Sequence, residues 1–312
     1  MQFPRPSIWA GKSHIGQKRK RGEILLTVSD RQKGVFLAVL SALFYSLISV
    51  CVKWIGGTLP TVEVLFFRGA VMLAVASATM AVKHQRLSGK HKPLLILRGF
   101  SGVLGAFTYY AAVARAPLAE TMALVNLSPF VVTVLAAAFL GERLRKGHVL
   151  ALLISFGGAL CIIRPNFAHV ETGYLIAFAS AVITGCSYTM VRKLKQDVDT
   201  PTIVFYYNIV TALVAFPVMM LGGFVMPSGA EWIKLLCLGI SALLFNYFNT
   251  SAYKYAPAGE ISIYNYLSVI FSSAFGVLLW KEHLVAGTVL GIALILGGAY
   301  LSFRSDKRSV AN

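Results

Sequence analysis

Long apolar stretches alternate with short polar loops along the chain from Val35 to Phe303. Ten of them read off at approximately 35–55, 62–82, 94–114, 118–140, 148–164, 173–191, 202–224, 232–253, 259–280 and 286–303, the fifth and tenth being short and Gly-rich. A helix needs about 18 or more apolar residues to cross a bilayer core of about 30 Å. The stretches are apolar on every face, as a helix in lipid is. None shows the polar–apolar alternation over about ten residues that marks a barrel strand. The pattern predicts an all-α integral membrane protein of ten transmembrane helices, with no soluble domain inserted in its brief loops.

Composition sharpens this. Of 312 residues, 57% are hydrophobic and 13% charged, against about 25% charged in a soluble domain. The net charge of +17 is first a signal of orientation, because cytoplasmic flanks collect Lys and Arg. The N-terminal tail carries Lys18-Arg19-Lys20-Arg21 and further basic residues. The same predicted side receives Lys83, Arg86, Lys90, Lys92, Arg143, Arg145, Lys146, Arg192, Lys193, Lys195, Lys254, Arg304, Lys307 and Arg308. The opposite side receives Lys53, Arg115, Arg164, Lys234 and Lys281. Both termini are therefore expected in the cytoplasm. Charge scattered over loops and a tail argues against a nucleic-acid partner. The first 30 residues have no apolar core and do not read as a secretory signal. The Lys18–Arg21 run either fixes orientation as a disordered tail or touches anionic headgroups, at about 1 kcal/mol per residue.

Chemistry of other kinds finds no foothold. Cys51, Cys161, Cys186 and Cys237 all fall in apolar stretches without a Cys-x-x-Cys pair, and read as buried free thiols. The histidines lack metal-ligand spacing, and no Gly-rich phosphate loop is present. Neither an enzyme nor an ATP-driven pump is indicated, and no cofactor is expected.

The chain also repeats itself at a fixed offset of 140 residues. Ala116-Pro117-Leu118-Ala119-Glu120 returns as Ala256-Pro257-Ala258-Gly259-Glu260, and Gly157-Gly158-Ala159 as Gly297-Gly298-Ala299. Leu127-Ser128 matches Leu267-Ser268, and Glu142 matches Glu282. This divides the chain into a basic tail at 1–33, one five-helix repeat at 34–165, a second at 172–304, and a tail at 305–312. Five is odd, so the second copy must enter the membrane from the other side. Two inverted copies provide two similar packings that can exchange roles around a site at the midplane.

Ala-Pro-x-x-Glu at the start of spans four and nine, and Gly141-Glu142-Arg143-Leu144 with its looser copy Lys281-Glu282-His283-Leu284, resemble the EamA family of the drug/metabolite transporter superfamily. The resemblance covers about residues 33 to 304. It implies a bacterial inner-membrane carrier with a central cavity between the halves, for amino acids, vitamins, nucleoside-like metabolites or drugs. Phe66-Phe67-Arg68-Gly69 and Leu97-Arg98-Gly99 look most like the branch that includes S-adenosylmethionine uptake carriers.

Several polar residues inside the spans are candidates for the site. Arg68 lies at a depth that costs about 2.5–3.5 kcal/mol, so it either holds a substrate carboxylate or phosphate or pairs with Glu63 or Glu120. Arg98, at the start of span three, is expected to snorkel to the headgroups. Glu120 and Glu260 follow prolines in first helical turns, where they either complement the positive end of the helix dipole and cap free N–H groups or relay protons. Glu142 and Glu282 stand at the far ends of those helices, expected to pair with Arg143, Arg145, Lys146 or Lys281, or to cap the next helix. Asn126 and Ser128 precede Pro129, which has no N–H to donate and disturbs span four. The equivalent stretch of span nine, Tyr264-Asn265-Tyr266-Leu267-Ser268, has Val269 in place of the proline and is expected to be less broken. Tyr110 ends span three beside Tyr109. Asn246, Asn249 and Tyr253 share one face of span eight, and Asn208, Tyr45 and Ser49 are further inward candidates. Gly102, Gly105, Gly157-Gly158 and Gly297-Gly298 read as sites of close helix packing.

The substrate site expected from these is Arg68, Tyr110, Asn126, Ser128, Asn246, Asn249, Tyr264, Asn265 and Ser268, with Glu120 and Glu260 as coupling acids. The function expected is a secondary transporter of a small organic metabolite, with the bilayer and a small-molecule solute as its partners and protons or exchange as its drive. A multidrug or metabolite efflux carrier is the alternative, and a non-transporting sensor or assembly protein a further one.

Overall fold

The structure is a computed structural model that describes residues 28–82, 91–140, 146–163, 172–194, 197–255 and 264–310. These residues are helical almost throughout. The helices are α1 Val28–Ile55, α2 Thr61–Val82, α3 Lys92–Val113, α4 Leu118–Val125, α5 Ser128–Leu140, α6 Lys146–Ile163, α7 Thr172–Leu194, α8 Thr200–Leu221, α9 Gly229–Tyr255, α10 Leu267–Trp280 and α11 Ala286–Val310. Among the described residues eight segments are long and apolar enough to cross a membrane, one of them running through α4 and α5 as Leu118–Phe139. Val149–Ile163 and Leu267–Trp280 are shorter apolar helices.

Local sequence sets several boundaries. Pro93 and Pro201 sit in the first turns of α3 and α8, where a missing N–H breaks no intrahelical bond. Pro117 is the N-cap of α4. Lys281 turns the chain left-handed just after α10, with φ 54°.

Large apolar side chains cover the outside. Leu221, Phe139, Leu278 and Leu213 are 68–89% exposed, a surface suited to lipid and ill suited to water. The inside is built from small residues. Ala38, Ala42, Ala159, Ala177, Ala181 and Ala242 are fully or nearly fully buried, as are Ser41, Ser46, Ser155 and Ser180. Small side chains let helix backbones approach where lipid supplies no hydrophobic drive for helix association.

The helix pairing follows the sequence repeat. α1 packs on α9 and α3 on α7; α5 packs on α7 and α10 on α1. The offset of 140 carries α1–α9 onto α7–α3, and α5–α7 onto α10–α1. α2 with α8, and α6 with α11, are pairs that the offset maps onto themselves. At the α6–α11 crossing a Cβ on Gly158 would lie 2.7 Å from the Gly291 carbonyl oxygen, and one on Gly298 would lie 2.8 Å from that of Ala151. These two contacts are also exchanged by the offset. Gly157 and Gly297 have nothing within 4 Å of such a Cβ, so only the second glycine of each pair serves the packing expected of both.

Span four divides at Asn126 and Leu127, as the proline suggested. The second copy is less broken, as expected, with one turn residue against two, yet it too is interrupted. Residues 264 and 265 are helical, Tyr266 is a turn, and α10 begins at Leu267. The reason lies in the hydrogen bonding. Pro129 has no N–H to give the Val125 carbonyl. At the equivalent place, Val269 N donates to Tyr266 O at 3.0 Å instead of to Asn265 O. Asn265 O accepts from the Ser268 hydroxyl at 2.7 Å. A serine hydroxyl thus diverts in the second copy the carbonyl that a proline frees in the first.

Candidate functional site

A cavity of about 1070 Å³ lies among α1, α2, α3, the α4–α5 break, α7, α8, α9, the Asn265–Tyr266 turn and α11. Its lining includes Ile48, Tyr110 and Val125 toward one end, and it reaches Thr200, Ser302 and Phe303 at the end of the bundle where α8 begins. Of the expected substrate residues, Arg68, Tyr110, Asn126, Ser128, Asn246, Asn249 and Asn265 all line it. Ser268 lies just behind. It is fully buried, and the Asn126 amide approaches its hydroxyl at 3.5 Å. The two helix breaks therefore face each other through Asn126 and Ser268.

Tyr264 does not line the cavity. It packs instead on Ala38 of α1 and Ala252 of α9. Tyr247 turns outward, 65% exposed, while Asn246 and Asn249 turn inward. The Tyr253 side chain and the whole of Glu260 lie outside the described residues. Ser49 bonds Tyr109 at 2.6 Å behind the wall, and Tyr45 and Asn208 line the cavity directly.

Arg68 pairs with neither carboxylate considered for it. Glu63 accepts from Val225 N at 2.9 Å, and Glu120 accepts from the Thr288 hydroxyl at 2.8 Å. Both are buried away from the cavity lining. The Arg68 guanidinium lies 5.9 Å from the Tyr110 ring centre, within reach of the phenols of Tyr207 and Tyr109. Its Nε is buried without a hydrogen-bond partner.

Arg98 corrects the expectation of snorkelling. Its guanidinium sits 4.2 Å from the Tyr207 ring centre, a close cation–π distance. Its Nε and Nη1 are buried and unpartnered. One turn on, Gly102 makes this possible: a Cβ there would lie 2.8 Å from the Tyr207 ring and 3.2 Å from the Arg98 guanidinium. Gly102 was legible as a packing glycine, and its spacing of four from Arg98 was the available signal that the arginine turns inward. Tyr266, from the span-nine stretch already singled out, lines the wall as well, and Tyr207, Tyr188, Phe245 and Thr184 join it without a signal in the sequence. Each sits on an otherwise apolar helix face, where an isolated aromatic gives no direction.

The bundle is closed at the other end. Glu282 pairs with Lys53 at the end of α1, not with Lys281. It also accepts from Leu118 N at 3.0 and 3.2 Å, capping α4 and not the helix that follows it. A carboxylate there complements the positive end of the α4 dipole. Lys53 in turn donates to Ala116 O at 3.2 Å and lies 5.5 Å from the Trp280 ring centre. Glu142, the counterpart of Glu282, lies outside the described residues. Among the described residues no cluster of His, Cys, Asp or Glu is arranged to hold a metal, and all four cysteines are free.

The sequence profile of the EamA-like transporter family matches residues 32–164 and again residues 171–304. The chain belongs to this family. As such, and with eight apolar segments among the described residues long enough to cross a membrane, it is a multi-pass membrane protein. It is 34% identical over 278 residues to a pseudopaline exporter of Pseudomonas aeruginosa, covering 88% of this chain and 98% of that one. It is 25% identical over 282 residues to a riboflavin transporter of Rhizobium johnstonii, covering 88% and 92%. The S-adenosylmethionine uptake transporter of Rickettsia prowazekii is 23% identical over 280 residues, covering 89% and 95%. A solved crystal structure shares the fold, with a TM-score of 0.62 and 22% identity over 90% of this chain and 98% of that one.

Proposed function

We propose that this EamA-family protein is a secondary carrier that moves a small organic metabolite across the inner membrane by alternating access. Ten spans form two inverted five-helix halves, 34–165 and 172–304, with both termini cytoplasmic. The family profile matching twice, and helix pairs that exchange under the repeat offset, support that arrangement. Inverted halves related by a two-fold in the membrane plane rock about a central site.

The observation that carries the reading is the cavity. It draws polar side chains from both halves: Arg68, Asn126 and Ser128 from one, Asn208, Asn246, Asn249 and Asn265 from the other. It reaches the end where α8 begins and stops short of the end held by Lys53 and Glu282. With cytoplasmic termini this is the inward-facing state, sealed outside. Substrate rests on the Arg68 and asparagine wall. Rocking breaks the Lys53–Glu282 closure and opens the same site outward. The drive is the solute gradient, exchange, or protons.

The test is counterflow in proteoliposomes with a panel of amino acids, vitamins and nucleoside-like metabolites, with and without a proton gradient. Saturable counterflow of at least one compound, lost in the double variant Arg68→Ala/Asn126→Ala, is expected. No counterflow and no ligand-induced thermal stabilisation by any of the panel would overturn the proposal. Export, the second reading, is favoured by the 34% identity to an exporter. Uptake into inside-out vesicles exceeding that into right-side-out vesicles supports it.

A further inference from the structure

We infer that the cavity selects a solute bearing two negative charges on one edge, received by Arg68 and Arg98 together. This deepens the carrier reading and rests on it. Among the described residues the cavity lining holds two arginines and no Asp, Glu, Lys or His. The wall around the site is therefore doubly positive without a built-in counter-charge.

The two guanidiniums act as a unit. Arg68 comes from α2 and Arg98 from α3, and Tyr207 of α8 lies within reach of both. They are close enough to repel one another. Neither has a carboxylate partner among the described residues. Three of their nitrogens, Arg68 Nε and Arg98 Nε and Nη1, are buried and unbonded. The Tyr110 hydroxyl beside them is likewise buried and unbonded. Buried donors of this kind require an acceptor, because an unmade bond leaves the full desolvation cost. Planar guanidinium forks match carboxylate and phosphate oxygens two at a time.

Another wall has the opposite character. The Asn249 and Asn265 carbonyl oxygens are buried acceptors without donors. They suit an amine or amide N–H of the same solute. Tyrosine faces around the cavity accept a flat ring between the two walls. The substrate class is thus an organic dianion, a dicarboxylate or a phosphate monoester, with a hydrogen-bond donor away from its acid edge.

The experiment measures thermal stabilisation and binding of the purified full chain in detergent. The probes are N-benzoylglutamate, its neutral-side-chain analogue N-benzoylglutamine, phenyl phosphate and benzylamine. We expect N-benzoylglutamate or phenyl phosphate to bind at least tenfold more tightly than N-benzoylglutamine, and benzylamine not to bind. Which of the two binds separates a dicarboxylate from a phosphate source. Arg98→Gln and Arg68→Gln should each bring the preference below threefold. Arg98→Lys keeps the charge without the fork, and should retain part of it if Arg98→Gln fails to fold. Equal binding of the glutamate and glutamine analogues, tighter binding of the cation, or a preference unchanged in the arginine variants overturns the inference. If no anion binds while a neutral or cationic metabolite still shows counterflow, the dianion inference fails and the carrier stands. If no compound shows counterflow, the carrier reading fails.

Discussion

The closure at Lys53 and Glu282 offers the sharpest test of how this fold works, through the single substitution Glu282→Gln. The carboxylate holds two donors: the Lys53 ammonium and, through both oxygens, the first N–H of α4. Glutamine keeps the shape and one acceptor but removes the charge. Its neighbour Lys53 is then left at 16% exposure with neutral partners alone, the amide oxygen, the Ala116 carbonyl and the Trp280 ring. Breaking a fully buried pair from one side costs about 3–5 kcal/mol, and an exposed pair contributes about 0–1 kcal/mol. Side chains at 16% and 10% exposure fall nearer the first limit, so about 2–3 kcal/mol is a reasonable expectation. If the pair forms only in this conformation, its loss moves the population toward the opposite one by about 30- to 160-fold. The assay uses Ile48→Cys, a lining position on the closed side of the cavity, with the four native cysteines replaced by alanine. A membrane-impermeant maleimide labels right-side-out vesicles, and the initial rate is read with and without Glu282→Gln. A rise of an order of magnitude or more is expected, together with a lower Tm. The double variant Lys53→Met/Glu282→Gln should be less affected than the sum of its parts, because both remove one interaction. Unchanged labelling with unchanged Tm, or additive effects in the cycle, would refute the closure.

Three further outcomes are expected. Gly158→Ala should destabilise the α6–α11 crossing by about 1–3 kcal/mol, because its new methyl meets backbone. Gly157→Ala, in open space, should be neutral or stabilising by about 0.5–1 kcal/mol; thermal unfolding in detergent that ranks the two the other way contradicts the packing. Glu120→Gln should leave the pH dependence of transport unchanged, since the amide oxygen can still accept from Thr288 and the residue is off the cavity lining; abolished pH dependence would assign Glu120 to proton coupling. Gly102→Ala should displace Tyr207 or Arg98 and weaken binding of whichever solute the panel identifies by about tenfold, about 1.4 kcal/mol, with little change in Tm; unaltered affinity would remove that stack from the site.

The sequence makes the scaffold legible because membrane physics leaves few choices. A run of apolar residues in lipid must be a helix, so the boundaries of α1, α2, α3 and α8 fall within a few residues of the apolar stretches, apart from the early start of α1. The offset of 140 carries the pairing as well, since copies that share a sequence share contact faces. What stays illegible is direction around each helix. Arg98 looked like an end residue seeking headgroups, and only the space left by Gly102 and the ring of Tyr207 turn it inward. Glu282 looked as though it belonged to its own loop, yet its partners lie 164 and 229 residues away in the chain. Such contacts depend on which helices meet, and apolar periodicity is silent on that when every face is apolar.

The break at Tyr266 shows the same limit from the other side. A proline advertises a free carbonyl in sequence, but a serine that captures one looks like any small helix residue. Pro129 and Ser268 interrupt the two copies at one register by different chemistry. The breaks then meet at Asn126 and Ser268, beside a wall whose arginines come only from the first copy. A fully symmetric pair of halves would present the same groups to a solute in both orientations. Keeping the break in both copies preserves the exchangeable scaffold. Confining the arginines to α2 and α3 gives the cavity one charged wall, and so one way round for an asymmetric solute to lie.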